Sequence, residues 1–332
     1  MRPVGRLPAF TVRPIITLLI LLCPALAPVA GAQDYPAKPI KLVVPFVPGG
    51  TSELLARTLA RAMEDGLRQA ILIENMGGAG STLGSAAVAR AAPDGYTLLF
   101  GYSSGLAIAP GLYPNLPYDP LTSFTPIGTV ARFFMVMVAH PSLPANNLKE
   151  LVEYARKNPG KVTFGSAGVG SSIHLLGEVF KAKAGIDLTH VPYKGMRPAL
   201  LDLVAGRVDL AWDATDALDP MIRDKRVKPL AVMAPKRLAD YPNVPTVHEE
   251  GYPDLGIFVW TALLAPAGLP PAIAARLEAE LARAQKLPEL QKIYAARGFE
   301  VFPGSPAQLT ELMRSEIPRW TAVIKASGAK VE

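Results

Sequence analysis

Val43-Val44-Pro45-Phe46-Val47-Pro48-Gly49-Gly50-Thr51-Ser52-Glu53 decides how the rest of this chain is read. An apolar, β-type run ends in Pro-Gly-Gly, and a helix-like pattern, Leu54-Leu55-Ala56-Arg57-Thr58-Leu59-Ala60, begins at once. Two glycines let the backbone take a positive φ or approach a ligand closely. The helix opens on Thr51, Ser52 and Glu53, so hydroxyls and unpaired amides gather at its positive end. That arrangement suits a carboxylate or a phosphate. An ordinary capped strand–helix turn explains the same residues when the segment is taken alone.

Moving outward, strands and helices alternate. Ile40–Val44, Ile71–Glu74 and Thr97–Tyr102 are predicted strands, separated by helices over Leu54–Met63 and Thr82–Ala91. Continuous apolar strands between helices predict an α/β fold with a mostly parallel sheet covered on both faces. After a Pro-rich stretch, the apolar run Ile127 to Ala139 is too long for a typical strand. A strand passing from one domain into another accounts for it. The alternation then resumes through strands at Val162–Phe164, Leu188–Val191, Asp209–Trp212 and Lys228–Met233, with helices over Leu148–Asn158, Ser172–Ala184, Pro198–Ala205 and Ala214–Asp224. Ile257 to Leu264 is a second long apolar run and the expected return crossing; helices over Pro271–Ala284, Pro288–Arg297 and Pro306–Ser327 follow. Two domains are expected, 33–132 plus 257–332 and 133–256, with a hinge of two strand crossings and a ligand cleft between them.

Composition agrees with a folded core. Half of the 332 residues are hydrophobic and 19% are charged, so disorder is not indicated over most of the length. Arg2, Arg6 and Arg13, the apolar run Ile15 to Leu22 and the small-residue site Ala30-Gly31-Ala32 read as a cleaved secretory leader over 1–32. Cys23 follows Leu22, where a lipid-attachment site wants a small residue. The mature chain is then expected to begin at Gln33, with no cysteine and a formal charge reduced from +6 to +3. So mild a positive balance does not predict nucleic-acid binding.

Three glycine-rich motifs, the histidines and Asp213 bear on chemistry. Phe164-Gly165-Ser166-Ala167-Gly168-Val169-Gly170-Ser171-Ser172 repeats the strand, Gly/Ser turn and helix of the opening stretch. Its glycines have P-loop spacing, but Ser171 stands where the lysine belongs, leaving a backbone nest with hydroxyls. Gly78-x-Gly80 resembles part of a dinucleotide loop, yet Leu83 takes the third glycine position. Gly101-Tyr102-Ser103-Ser104-Gly105 matches a nucleophile elbow, for which Asp213 and His248 are the triad partners in the required order. Pro110 and Gly111 cut short the helix that such an elbow begins. His140, His174, His190 and His248 are scattered, without metal-ligand spacing. His174, one turn into a predicted helix, reads as a core or capping residue before it reads as an anion contact. Asp213, between a strand and a helix, is an N-cap or an acceptor for a ligand hydroxyl or ammonium.

Taken together, the residues resemble the Bug, or TctC-like, proteins, the extracytoplasmic substrate-binding subunits of tripartite tricarboxylate transporters. The matching motifs are Tyr35-Pro36-x-Lys38-Pro39-Ile40, Val44-Pro45-Phe46-x-Pro48-Gly49-Gly50, Glu74-Asn75, Pro93-Asp94-Gly95-Tyr96-Thr97-Leu98-Leu99, Leu116-Pro117-Tyr118-Asp119-Pro120, Phe164-Gly165-Ser166, Gly170-Ser171 with His174-Leu175, and His190-Val191-Pro192-Tyr193-Lys194-Gly195. The resemblance implies a type II periplasmic-binding-protein-like fold that closes on a small di- or tricarboxylate, amino acid or aromatic acid. It implies a carboxylate at Gly49, Gly50, Thr51 and Ser52, faced by Ser166, Gly168, Gly170, Ser171 and Ser172, with Asp213 at an acidic strand end; Ser103 completes the expected binding set. Glu53 stands where the family pattern carries Asp, Met76 where a basic residue is common, and Trp212 where a smaller aromatic is usual. The implied protein is a periplasmic monomer without cofactor, metal or catalysis, delivering its ligand to membrane permease subunits. A secreted serine hydrolase built on Ser103 and a ligand-sensing subunit for a membrane receptor are the alternatives.

Overall fold

The computed structural model describes Gly5 and residues 35–329 apart from Gly170. The expected leader, Cys23 and Gly170 therefore lie outside the described residues. Among the described residues no helix is long and apolar enough to cross a membrane.

The chain runs β1 (Ile40–Val44), α1 (Thr51–Leu67), β2 (Ile71–Asn75), α2 (Thr82–Ala89) and β3 (Thr97–Tyr102). A π-helical turn over Ser104–Ile108 leads into the short α3 (Ala109–Leu112), then β4 (Phe124–Phe134) and β5 (Val136–Ala139). Next come α4 (Leu148–Lys157), β6 (Thr163–Ser166), α5 (Ser172–Ala184), β7 (Thr189–Pro192), α6 (Met196–Val204), β8 (Leu210–Asp213), α7 (Thr215–Arg223) and β9 (Lys228–Val232). The last part holds β10 (Phe258–Pro266), α8 (Pro271–Ala284), α9 (Pro288–Ala295), β11 (Glu300–Gly304) and α10 (Pro306–Ser327).

Two sheets result. One has six strands in the order β11-β4-β10-β3-β1-β2 and the other five in the order β7-β6-β8-β5-β9. Neither is mostly parallel, contrary to the sequence expectation. β1 pairs parallel with β2 and β3, but β10 and β11 run antiparallel to their neighbours, as β5 does to β8 and β9. The run Ile127 to Ala139 divides at Met135: β4 belongs to the first sheet and β5 to the second. The second long apolar run lies in β10 and pairs only with β3 and β4 of the first sheet.

The helices follow from their apolar spacing. Leu55, Ala56, Leu59, Ala60, Met63 and Leu67 put one stripe of α1 onto the sheet. Each fully buried Leu or Met on such a stripe contributes roughly 1.5–3 kcal/mol. Asn147 caps α4 by accepting from Glu150, and Ser171 caps α5 by accepting from the His174 amide. α10 opens with a reciprocal capping box between Ser305 and Gln308.

Candidate binding cleft

The carboxyl ends of β1, β3, β6 and β8 carry the turns that the sequence singled out. Gly49 has φ +85°, and Gly50 precedes α1 in extended conformation without a side-chain cap. The first amides of α1 consequently have no acceptor within the helix. On the other sheet, the Ser171 amide donates to Gly168 and the His174 amide to the Ser171 hydroxyl. That leaves the Ser172 and Ile173 amides at the positive end of α5.

Between these turns lies a cavity of about 410 Å³, a size usual for small-molecule sites. Ser52, Ser103, Ser171, Ser172 and Asp213 line it together with Gly80, Ser104, Tyr102 and Tyr113. The rest of the lining is apolar: Phe46, Ile108, Ala109, Leu112, Phe133, Met135 and Val259 face it from the first sheet's side, and Ala167, Val169 and Ile173 from the second's. A larger recess of about 480 Å³ lies between the C-terminal halves of α5 and α10, away from both Gly/Ser turns.

Several expected site residues have other partners. Gly49, Gly50, Thr51, Ser166 and Gly168 do not line the cavity. The Thr51 hydroxyl donates to Asp216 Oδ2 at 2.9 Å. Ser166 is fully buried; its hydroxyl bonds His190 Nε2 at 2.6 Å and accepts from the Gly168 amide at 3.1 Å, so it braces its own loop. Glu53 turns back to accept from the Gly49 amide at 2.8 Å and pairs with Arg57. The extra methylene relative to Asp thus closes a local ring outside the cavity. Met76 is absent from the lining as well.

Asp213 ends β8 opposite Val136, close to the junction between the sheets, and accepts from the Ala214 amide at 2.8 Å. Burial pushes its carboxyl up to about 7; the Ala214 amide opposes this and the charge of Asp216 adds to it. Burial also pushes the Tyr102 phenol up, with Ser52 beside it acting in the opposite sense. Behind the second turn, His174 stacks on His190 with ring centroids 3.9 Å apart, and His190 stacks on Phe164 at 4.9 Å. Burial, then the nearby charges of His174 and Lys181, lowers His190 to about 4. His174 is 6% exposed, is lowered by burial, and does not line the cavity.

Ser103, Asp213 and His248 are not assembled as a triad. His248 is exposed, with Nε2 2.6 Å from where a Cβ on Gly256 would sit, and it is absent from the lining that holds Ser103 and Asp213. The dinucleotide-like loop has a packing explanation. A Cβ on Gly77 would lie 2.6 Å from the Val47 amide nitrogen, and one on Gly84 2.9 Å from Pro45 Cβ. Among the described residues no cluster of His, Cys, Asp and Glu is arranged to hold a metal.

The sequence reading missed Phe46, Tyr102, Ile108, Leu112, Tyr113, Phe133, Met135 and Val259 as cavity residues. An apolar residue at a strand end gives no signal that separates a ligand wall from a core.

Two α/β sheets flanking one hydroxyl-edged cavity define a protein of the periplasmic-binding-protein fold. The chain belongs to the tripartite tricarboxylate transporter family receptors, whose model matches residues 55–329. It is 36% identical over 319 residues to Protein BugT of Bordetella pertussis, covering 96% of this chain and 98% of that protein. The structure of the periplasmic binding protein BugD is similar with a TM-score of 0.77 and 37% identity, covering 90% of this chain and 100% of that one. Rpa4515 of R. palustris, solved with adipate, is similar with a TM-score of 0.80 and 34% identity over the same shares of the chains.

Proposed function

We propose that the protein is an extracytoplasmic solute-binding protein. It captures a small carboxylate in the cavity between its sheets and presents it to the permease subunits of a tripartite tricarboxylate-type transporter. The observation that carries this reading is the convergence of Ser52, Ser171 and Ser172, at two helix N-termini, on one cavity with Ser103 and Tyr102. Such donors hydrogen-bond one carboxylate without an arginine. Binding involves no covalent step. The lobe 33–132 plus 257–332 and the lobe 133–256 close over the ligand, and only a higher affinity for the closed form drives that change. Export to the periplasm by cleavage after residue 32 belongs to the same proposal.

Thermal melting against a panel of carboxylates tests it. A ligand at a hundred times its Kd adds about 2.7 kcal/mol of stability and raises Tm accordingly. If no carboxylate shifts Tm, while simple esters are hydrolysed and Ser103→Ala abolishes the turnover, a hydrolase replaces the binding protein.

A further inference from the structure

We infer that the ligand is a monoanionic acid with an apolar aryl or alkyl body, not a di- or tricarboxylate; the inference rests on the carboxylate reading above and narrows it. Among the described residues the cavity lining contains no Lys, Arg or His, and its one ionisable acid is Asp213. The donors at the ends of α1 and α5 suffice for one carboxylate. A second would have only the neutral hydroxyls of Tyr102, Ser103, Ser104 and Tyr113 to meet, set among Phe46, Ile108, Leu112, Phe133 and Val259, with no cation to offset its desolvation.

The nearest cation in sequence does not relieve this. Arg132, adjacent to Phe133 on β4, pairs with Glu300 at 3.0 Å and lies over the Phe302 ring at 4.9 Å, outside the lining. Asp213 works against a second charge too, since carboxylates sharing one site repel each other. Its carboxyl stands near 7, so that repulsion strengthens as pH rises above neutrality.

The same wall favours an apolar body. The Phe46 ring is fixed edge-on to Tyr102 at 4.6 Å and the Phe133 ring against Phe299 at 4.6 Å. Both are partly accessible, and both present ring surface to the cavity. Held aromatic faces of this kind accept an aryl or alkyl group with little loss of their own freedom.

Calorimetry at pH 8 with hexanoate, benzoate and phenylacetate against adipate and malate, and with hexanamide and benzamide as controls, tests the inference. At least one monoacid is expected to bind ten times more tightly than either diacid and ten times more tightly than its amide. Adipate or malate binding as well as the best monoacid overturns the inference and leaves the carboxylate site standing. Amides matching their acids, or no acid binding at all, overturns the carboxylate reading and this inference with it. In Asp213→Asn the adipate-to-hexanoate affinity ratio is expected to rise about tenfold at pH 8; an unmoved ratio removes Asp213 as the group that excludes the second charge.

Discussion

Thr51, the first residue of α1, donates its hydroxyl to Asp216 in the first turn of α7 at 2.9 Å, although 165 residues separate them. The bond joins a helix packed on one sheet to a helix packed on the other, beside the cavity but outside its lining. A charge-assisted bond of this kind contributes about 1.5–3 kcal/mol where it is shielded and less where water reaches it. Thr51→Val and Asp216→Ala are each expected to weaken ligand affinity about three- to tenfold, with little change in the urea midpoint. The double variant should bind no more weakly than the worse single one, because both remove the same contact. Fully additive losses would show that the contact is not made in the bound form.

The pH dependence of stability separates two half-buried groups with opposite signs. Asp213 has its folded pKa raised from 3.8 to about 7, so between those values the folded state holds the extra proton. Its contribution therefore falls as pH rises through that window. His190 has its folded pKa lowered from 6.5 to about 4, so there the unfolded chain holds the extra proton and stability rises with pH. His174, lowered in the same direction with Glu178 and Lys181 facing it, adds to the second trend. In the ligand-free protein the trends oppose each other from about pH 4 to 6.5, and a decline remains from 6.5 to 7. Asp213→Asn should convert this to stability rising across 4 to 6.5 with no later decline. Melting temperatures across that range check it, and an unchanged profile in the variant removes Asp213 as the source.

Much of this was legible because the signals were local. Ile40–Val44, Thr97–Tyr102 and Ser172–Ala184 are strand, strand and helix with the predicted bounds, each set by an apolar run between glycine, proline or serine punctuation. β11 was missed because Glu300–Gly304 contains Pro303 and sits at the sheet edge, where pairing with β4 decides the conformation. The direction of pairing was missed for a related reason: no residue in Val136–Ala139 announces that β5 lies antiparallel to both of its neighbours. In the cavity, the serines at strand ends stood out through their chemistry. Whether a hydroxyl faces a ligand depends on partners distant in sequence, as with Thr51 and Asp216 or Ser166 and His190.

Gly177 in α5 sets how closely that helix approaches β6. A Cβ there would lie 2.3 Å from Phe164 Cε2, and Phe164 is fully buried with Trp212 edge-on to its ring at 5.7 Å. Alanine gains up to about 1 kcal/mol in helix propensity, whereas overpacking a tight core costs about 1–3 kcal/mol. Gly177→Ala is therefore expected to lower stability by about 1–2 kcal/mol, read as a reduced urea midpoint with an unchanged slope. A variant more stable than the parent would mean that the ring moves aside freely.

Gly298, between α9 and β11, sits against the start of α7. Its φ is +72°, and an ideal Cβ would fall 1.8 Å from Thr215 Oγ1. Gly298→Ala thus carries two separate penalties, backbone strain of about 1 kcal/mol or more and displacement of the residue next to Asp216. The strain acts on stability, while the displacement acts on the contact between Thr51 and Asp216 and hence on closure around ligand. Gly298→Ala is expected to lower the urea midpoint and to weaken ligand binding several-fold. Adding Thr215→Ala removes the Oγ1 clash and should restore most of the affinity, yet leave the midpoint low because the strained φ persists. If affinity stays low in the double variant, strain at residue 298 and not the position of α7 controls binding.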